Sequence, residues 1–387
     1  MPEAAVNDLG LVLAGGAARG AYQVGVMRFV FTELARQLGR PTWPGMVSGT
    51  SVGSINSLFA VAQDPVALNG LAELWRNLTV DQVYNLHLSS VFRAVRSAYH
   101  ADERFALLDP SPLYGLVRKH YPIRAARRSL DSGRCRALIL STTELNTGLN
   151  ALFLDSAEPD FPLKPAPGAR LHRTAIGVRH VLASAALPLL FPSVAINGEL
   201  YADGGLRQNT PLRPLLRAGV RRALVIGVKQ SRTAESTSLE DPVTPNLPFL
   251  LGKTFNAVML DPVERDIENA EQVNGILSWG RARFGPDFTD GVRAQFGIQA
   301  TDVVFLKPSE DLGRIAAETF RAHPPKASPH LRWLLGFIAD RANSSESDLL
   351  SYLYFDRAYT AELESLGYED ARRQASDLAV LFEPDSP

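Results

Sequence analysis

A short, wholly apolar run that ends in a glycine-rich turn constrains this chain more than any other feature. Leu9 to Ala14 suits a strand buried on both faces, and it leads directly into Gly15-Gly16-Ala17-Ala18-Arg19-Gly20. From Ala21 the apolar residues recur at three- and four-residue spacing as far as Leu38, and Gly39 follows at the expected helix end. The pattern predicts a strand, a tight turn and a helix, which is the repeating unit of an α/β fold.

The same pattern occurs a second time further along the chain. Met46-Val47 leads through Gly49-Thr50-Ser51-Val52-Gly53 into the helical stretch Ile55 to Val61. Later apolar runs at Arg136 to Leu140, Ala223 to Val228 and Val303 to Leu306 predict further buried strands. Asp64-Pro65 predicts a helix start, because aspartate caps free N–H groups and proline suits the first helical position. Ser231 to Pro248 resembles a linker, and Phe255 to Leu277 has a helical pattern. We therefore expect an α/β fold in which several strands end in glycine-rich turns.

The composition is that of an ordinary globular protein and excludes several functional classes. The chain has 387 residues, of which 45% are hydrophobic and 21% charged. Its formal net charge is -1, so no overall positive field attracts nucleic-acid phosphates, and we expect no nucleic-acid partner. A single cysteine, Cys135, excludes an internal disulfide framework and a zinc site built mainly from thiolates.

The sequence carries no recognisable export or membrane-spanning segment. Glu3 and Asp8 precede the first apolar run, which differs from the positive start of a secretory signal. The apolar stretch Val181 to Val194 is interrupted by prolines and is shorter than the ~20 residues that cross a bilayer. We expect a cytoplasmic or peripheral membrane protein, with secretion by a route without a cleavable signal left open.

Gly49-Thr50-Ser51-Val52-Gly53 places a serine between a predicted strand and a predicted helix. Gly49 and Gly53 lack Cβ atoms, so neighbouring backbone can approach the turn closely. Ser51 lies at the positive end of the following helix, which favours a developing alkoxide. A Gly-x-Ser-x-Gly in this context is typical of a nucleophilic serine.

The first glycine-rich turn has two competing interpretations. As a dinucleotide-binding fingerprint it lacks the middle glycine, where Ala17 stands, and the acidic Glu33 falls inside the predicted helix. As an oxyanion hole it needs only the backbone N–H groups around Gly15 and Gly16, and parallel neighbouring strands bring both turns to one sheet edge. Arg19 can either brace the loop or recognise a phosphate or carbonyl oxygen.

Asp203-Gly204-Gly205 follows a predicted hairpin, Val194 to Tyr201, whose turn is Asn197-Gly198. A carboxylate that hydrogen-bonds to a serine hydroxyl can take its proton when water is excluded. Ser51 and Asp203 are therefore a candidate catalytic pair.

A histidine is the alternative proton acceptor for the serine. None of the seven histidines stands at a predicted strand end within a clear motif, although two of them fall in the weakly patterned region 79–112, which resembles a mobile cap. The seven are His87, His100, His120, His172, His180, His323 and His330.

Taken together, the motifs resemble the patatin-like phospholipase family. In chain order they are Gly15-Gly16-Ala17-Ala18-Arg19-Gly20, Gly49-Thr50-Ser51-Val52-Gly53 and Asp203-Gly204-Gly205. Ala183 to Pro188 and Thr143 to Gly148 are also similar to that family's sequence. The resemblance covers about Leu9 to Pro211, with a looser likeness to bacterial members nearer the C-terminus.

The resemblance implies a three-layer α/β/α fold with a central, mostly parallel sheet and additional C-terminal helices. It implies Ser51 as nucleophile, Asp203 as base and no metal or cofactor in the chemistry. The implied oxyanion hole consists of the N–H groups of Gly15, Gly16 and Ala17, and the supporting motif residues are Arg19, Gly20, Gly49, Gly53, Gly204 and Gly205. Family members commonly have a third glycine where Ala17 stands; alanine keeps the N–H but restricts φ, so the implied oxyanion hole requires φ below zero at this position.

These observations predict a catalytic core at 8–230, with a cap at 79–112, and a mainly helical region at 250–387 packed on that core. The predicted function is a serine hydrolase that releases fatty acids from phospholipids or other lipid esters, with peripheral membrane contact. The alternatives are a Ser-His-Asp esterase, an acyl-carrier transacylase and a non-catalytic binding scaffold. The sequence specifies neither the oligomeric state nor the headgroup and acyl-chain preference.

Overall fold

A mixed sheet with β1 near its centre organises the computed structural model, which describes residues 8–86, 106–230, 263–325, 327–340 and 348–383. Within these residues the sheet has nine strands, and its main path runs β5-β4-β3-β2-β1-β8-β9. The strands are β1 Leu9–Leu13, β2 Met46–Thr50, β3 Ala137–Glu144, β4 Asn150–Asp155, β5 Ala169–Arg173, β6 Val194–Ile196, β7 Glu199–Asp203, β8 Arg222–Ile226 and β9 Asp302–Leu306.

The central part of the sheet is parallel, as predicted. β1 pairs in parallel with β2 and β8, β2 with β3, and β8 with β9. β4 runs antiparallel to β3 and parallel to β5. The β6-β7 hairpin joins the sheet through β7, which pairs antiparallel with the C-terminal end of β3.

Helices cover both faces of the sheet, which confirms the predicted three-layer architecture. The described helices are α1 Gly20–Arg28, α2 Val52–Ala62, α3 Pro65–Arg76, α4 Ser111–His120, α5 Ile123–Asp131, α6 Val178–Ser184, α7 Leu212–Arg217, α8 Val263–Phe284, α9 Asp287–Phe296, α10 Leu312–Ala322, α11 Pro329–Asp340, α12 Asp348–Leu353, α13 Arg357–Arg373 and α14 Ala375–Val380. Side chains of β1 alternate between two apolar layers: Leu11 and Leu13 pack with α1 and α2, and Val12 packs with α7.

Local sequence signals fix the ends of several elements. The helical path that begins in α1 continues through a π-helical turn and ends at Gly39, which has φ 64°. The Asp64 side chain accepts a hydrogen bond from the Val66 N–H (2.9 Å) and so caps α3, which starts at Pro65. Asn197 and Gly198 both have positive φ in the hairpin turn, as the sequence predicted.

The C-terminal helix α13 packs directly on α1. A Cβ atom on Gly25 of α1 would lie 1.9 Å from the Glu364 carbonyl oxygen, and one on Gly367 of α13 would lie 2.0 Å from the Tyr22 carbonyl oxygen. The buried Glu364 carboxylate also pairs with Arg28 (2.7 Å). The two helices therefore approach to backbone contact, and only glycine fits at the crossing.

Parts of the structure differ from the predicted elements. β5, α4 and α5 were not predicted, and α8 extends to Phe284, beyond the predicted end at Leu277. Residues 87–105 of the predicted cap, with His87 and His100, lie outside the described residues, as does 231–262 with the predicted linker 231–248. Among the described residues, no helix combines the length and hydrophobicity that a membrane crossing requires.

Candidate active site

The strand register brings the two glycine-rich turns together. Leu13, the last residue of β1, pairs with Gly49 of β2 in parallel, so both strands end at the same sheet edge. β7 runs antiparallel to β3 and places Asp203 opposite Thr142. The turns after β1 and β2 therefore meet at the carboxyl edge of the parallel strands, where sites in open α/β sheets lie, and β7 brings Asp203 to the same edge from the opposite direction.

Ser51 occupies a strained turn between β2 and α2. Its φ is 55° and its ψ is -125°, a backbone conformation that an L-residue rarely adopts. A Cβ on Gly53 would lie 2.2 Å from the Leu13 carbonyl oxygen, and one on Gly49 would lie 2.6 Å from the Gly53 carbonyl oxygen. Both glycines are thus required by close backbone contacts, and the turn has the geometry of a nucleophile elbow.

Asp203 is fully buried beside this turn. Its Oδ1 accepts a hydrogen bond from the Gly205 N–H at 2.7 Å, which helps to fix the carboxyl group. Gly204 leaves no room for a side chain, because a Cβ there would lie 2.3 Å from the Ser141 carbonyl oxygen. Gly205 therefore acts as a backbone donor to Asp203, and Gly204 allows close packing against Ser141.

Burial raises the pKa of Asp203 to about 7, while the Ser51 hydroxyl and the Gly205 N–H, as donors, hold it lower than burial alone would. The second carboxyl oxygen, Oδ2, is buried and has no partner with full hydrogen-bond geometry within the described residues. The Ser51 hydroxyl is thus close enough to Asp203 to favour the charged form of its carboxyl group. The arrangement leaves Oδ2 available to receive a proton.

The turn after β1 packs directly against Ser51. A Cβ on Gly15 would lie 3.1 Å from the Ser51 Cβ and 2.3 Å from Asn209 Oδ1. The Gly15 N–H donates to the Asn209 carbonyl oxygen at 3.0 Å. In this conformation Gly15 is therefore committed as a donor, and Gly16 and Ala17 are the remaining candidates for holding an oxyanion.

Ala17 has φ 47°, so the condition of a negative φ that the sequence set for the oxyanion hole is not met. Alanine in this left-handed region costs roughly 1–2 kcal/mol relative to a right-handed conformation. The residue keeps its N–H and lies in the wall of the same cleft as Ser51. The turn therefore tolerates backbone strain at the position where family members commonly have glycine.

Arg19 links the glycine-rich turn after β1 to the C-terminal segment through buried contacts. It is 2% exposed, and its Nε and Nη2 atoms donate to Ser351 Oγ at 2.8 and 2.6 Å. Its guanidinium carbon also lies 4.1 Å from the centre of the Tyr352 ring. Gly20 is needed for packing, because a Cβ there would lie 2.4 Å from a Val52 methyl group. Of the two interpretations of Arg19, the contacts match the bracing one.

Sequence reasoning did not identify Ser184 as part of the site. The Ser51 N–H donates to Ser184 Oγ at 3.0 Å, and that hydroxyl donates to the Ser141 carbonyl oxygen at 2.7 Å. The same carbonyl oxygen is the atom that Gly204 approaches. Ser184 therefore connects the serine turn with the loop that carries Asp203.

Further polar contacts close this connection into a ring. Ser141 Oγ donates to Asn150 Oδ1 at 3.0 Å, and Asn150 Nδ2 donates to Gln208 Oε1 at 3.0 Å. Thr50 Oγ1 donates to the Gln208 carbonyl oxygen at 2.9 Å, which returns the ring to the residue before Ser51. The family-like stretch Ala183 to Pro188 contains Ser184, but nothing local in it shows that its hydroxyl bonds to Ser51.

An apolar cleft opens at Ser51 and has about 800 Å³ of empty space, counting its opening to solvent. Apart from Ser51 and His120, its lining side chains are aliphatic or aromatic. Val52, Ile55 and Phe59 form one wall along α2, and most of the rest comes from α3, α4, the segments 83–84 and 185–191, and residues 353–355. The cleft suits a hydrocarbon chain attached to a group held at Ser51.

The described histidines do not support a three-residue relay. The five in the described residues are His120, His172, His180, His323 and His330, and the structure gives none of them an interaction with Ser51 or Asp203. His120 is the one among them that lines the cleft. Likewise, the described residues contain no cluster of histidine, cysteine and acidic side chains able to hold a metal ion.

A serine on a strained strand–helix turn, beside a buried carboxyl group and an apolar cleft, defines the class of α/β proteins with a nucleophile elbow. A sequence model described as patatin-like phospholipase matches residues 11–216, which is more than half of the chain. The chain belongs to the patatin-like phospholipase family.

Individual relatives match only part of their own length. A lysophospholipase NTE1 of Cryptococcus neoformans is 24% identical over 231 residues, which cover 57% of this chain and 11% of the relative. One from Candida albicans is 25% identical over 221 residues, covering 57% and 13%. The patatin-like phospholipase domain-containing protein ZK370.4 of Caenorhabditis elegans is 43% identical over 81 residues, covering 19% and 6%. The matched part is thus about a tenth of the fungal relatives.

Two solved structures are similar at low sequence identity. VipD from Legionella pneumophila has a TM-score of 0.39 and 15% identity, and the match covers 96% of this chain and 67% of that one. Human GIVD cytosolic phospholipase A2 has a TM-score of 0.41 and 13% identity, with 97% and 60% covered.

Proposed function

We propose that this protein hydrolyses lipid acyl esters, with Ser51 as the nucleophile and Asp203 as its proton acceptor. The observation that carries the proposal is the placement of a strained serine beside a buried carboxyl group whose pKa is about 7, at the mouth of an apolar cleft. A carboxyl group with such a pKa is a better base than an exposed aspartate, because its basicity lies near neutral pH.

In the first step, Asp203 Oδ2 takes the hydroxyl proton while Ser51 Oγ bonds to the ester carbonyl carbon. The negative charge moves to the carbonyl oxygen, where the N–H groups of Gly16 and Ala17 are the proposed donors. The tetrahedral intermediate then collapses and the carbon–oxygen bond to the alcohol breaks. Asp203 returns its proton to the departing alcohol, which leaves an acylated Ser51.

In the second step, water attacks the acyl-enzyme. Asp203 takes a proton from the water as its oxygen bonds to the acyl carbon, and the same donors hold the charge. Collapse of this intermediate releases the fatty acid, and the proton returns to Ser51. Each cycle consumes one water and restores both side chains.

The cleft lining favours esters with an aliphatic acyl chain. Membrane phospholipids and lysophospholipids are the proposed substrates, consistent with the fungal relatives named as lysophospholipases. Such substrates reside in lipid aggregates, so peripheral contact with a lipid surface is part of the proposal. Leu189, which is 68% exposed and close in sequence to the cleft residues Leu187 and Phe191, is suited to that contact.

We propose that residues 8–230 form the catalytic core and that 250–387 form the region packed on it. The family match ends at residue 216, whereas α13 contacts α1 and residues 353–355 reach the cleft. The later helices therefore contribute to the packing of the core and to the wall of its cleft.

The test compares Ser51→Ala and Asp203→Asn with Ser57→Ala on a short-chain nitrophenyl ester. Ser57 is an equally buried serine of α2, and its hydroxyl bonds to the Ser54 carbonyl oxygen, so its loss controls for packing. We expect both site variants to lose about 10³-fold or more in kcat. Ser57→Ala is expected to retain activity and labelling by a fluorophosphonate probe.

Three outcomes would contradict the proposal or redirect it. Unaltered turnover in either site variant excludes the pair, and a wild-type protein that leaves the probe unbound is a scaffold. Loss of all activity in a single histidine variant would indicate a three-residue relay. Mass spectrometry of fatty acids and lysolipids released from mixed phospholipid vesicles then identifies the substrate.

A further inference from the structure

The C-terminal segment reaches the active-site cleft from outside the region that the family shares. The family match ends at residue 216, yet Leu353 and Phe355 line the same cleft as Ser51. Both side chains are nearly buried, at 5% and 7% exposure. They are therefore part of a packed wall and not of a loose tail.

Several contacts hold this segment in place. The Tyr84 hydroxyl donates to the Leu353 carbonyl oxygen at 2.6 Å. The Phe355 ring stacks on Trp75, with 6.3 Å between ring centres, and meets the edge of Tyr84 at 6.1 Å. Directly before these residues, Ser351 accepts two hydrogen bonds from Arg19 of the glycine-rich turn.

The position of this wall along the cleft follows from α2. The Trp75 indole N–H donates to Asn56 Oδ1 at 3.2 Å, so the Trp75–Phe355 stack lies near the level of Asn56. Asn56 is five residues after Ser51, which corresponds to ~7 Å along a helix axis. If the acyl chain on Ser51 runs along α2, a butyryl group ends before this level and a dodecanoyl or longer chain passes it.

We propose that Leu353 and Phe355 form part of the acyl-binding wall and give the enzyme its preference for long acyl chains. The proposal rests on the proposed function and adds a specificity element supplied by the C-terminal region. Removing the Phe355 ring takes away apolar contact from long chains only, and differences of one or two such contacts change kcat/KM by ~10-fold or more.

The experiment measures kcat/KM of the full chain for nitrophenyl butyrate and nitrophenyl dodecanoate. We expect Phe355→Ala to lower the dodecanoate-to-butyrate ratio about tenfold. The matched control is Phe320→Ala, because Phe320 is another C-terminal phenylalanine, 9% exposed, whose ring packs on Tyr354 at 5.4 Å but does not line the cleft. Its ratio is expected to equal the wild-type value.

A milder variant and a binding measurement keep the test decisive. Phe355→Leu is expected to fold if the alanine variant does not, and to shift the ratio in the same direction by a smaller factor. In a Ser51→Ala background, Phe355→Ala is expected to weaken binding of a fluorescent long-chain fatty acid, and Phe320→Ala is not.

The results separate this proposal from the proposed function. If the wild type hydrolyses esters but the Phe355 and Phe320 variants keep its ratio and its fatty-acid affinity, the wall assignment is wrong. If the wild type hydrolyses no ester, the proposed function fails, and selective loss of fatty-acid binding in the Phe355 variant still supports the wall.

Discussion

Burial is the main cause of the raised pKa of Asp203. The pKa of its carboxyl group is raised from 3.8 to about 7 by desolvation, and the interactions that oppose the shift are hydrogen bonds from Ser51 and Gly205. If Asp203 is the base, it must be ionised. We expect kcat/KM to fall about tenfold per pH unit below pH 7 and to level off above it. An activity profile that stays flat down to pH 5 would contradict the assignment.

The raised pKa of Asp203 also makes the free energy of unfolding depend on pH. Because the folded pKa is above the ordinary value, the folded state binds a proton that the unfolded state has released between about pH 4 and pH 7. The stabilisation from this proton is complete below pH 4 and is lost as the pH rises through about 7. Urea denaturation of Asp203→Asn, which cannot titrate, should show a weaker fall in stability over this range than the wild type.

The strained backbone at Ala17 predicts a stabilising substitution. Ala17→Gly removes the cost of the left-handed conformation but adds unfolded-state entropy, so we expect a net gain of about 0.5–1 kcal/mol in the free energy of unfolding. Ala18→Gly is the control, because Ala18 is buried in the same turn and does not have a positive φ. It should lose about 1 kcal/mol in urea denaturation. Equal losses in both variants would show that strain at Ala17 is unimportant.

The contact of Ser184 with Ser51 predicts that replacing Ser184 lowers the catalytic rate and leaves substrate binding unchanged. Ser184→Ala leaves the Ser51 N–H without its acceptor and frees a strained turn to relax, and small displacements of a nucleophile cost up to ~10²-fold in rate. We expect kcat to fall 10- to 100-fold with KM within about twofold. Ser57→Ala removes a comparable buried hydroxyl and should leave kcat unchanged. If both variants behave alike, Ser184 acts only through stability.

At the scale of elements, the contact of α1 with α13 leaves the least room for an added side chain among the described contacts. Gly367→Ala would place a methyl group 2.0 Å from the Tyr22 carbonyl oxygen, so the helices must separate. We expect a loss of about 1–3 kcal/mol in the free energy of unfolding. Gly70→Ala on α3 is the matched control: its added methyl meets nothing within 4 Å, and it should gain about 0.5–1 kcal/mol. Chemical denaturation of both variants measures the difference.

The elements that sequence predicted are those with local signals. Buried apolar strands next to glycine turns, the Asp64-Pro65 helix start and the Asn197-Gly198 hairpin depend on neighbouring residues only. β5 was missed because Ala169–Arg173 carries mostly polar residues and lies at the edge of the sheet path. Helix α5 is rich in arginine and lacks the long apolar repeat from which a helix is predicted, so it was missed.

At the scale of the whole molecule, the missed features are those that join distant parts of the chain. The meeting of the turns after β1 and β2 was predictable because both strands are parallel and end at one edge. β7 runs antiparallel to β3, so the pairing of Asp203 with Ser51 followed from their chemistry and from the family resemblance, and not from strand direction. The contact of Ser184 with Ser51 spans 133 residues, and that of Arg19 with Ser351 spans 332. No periodicity or turn signal encodes such pairs. The family-like motifs identified the residues of the proposed reaction centre but not the groups that hold them.

The Arg19–Ser351 contact also bears on how the protein is made. During synthesis the glycine-rich turn leaves the ribosome long before Ser351 does, and domains form as their parts emerge. Until α12 and α13 are added, Arg19 lacks its contacts with Ser351 and Tyr352, and the cleft lacks the wall formed by residues 353–355. A partly synthesised chain therefore carries Ser51 before the site proposed around it is complete.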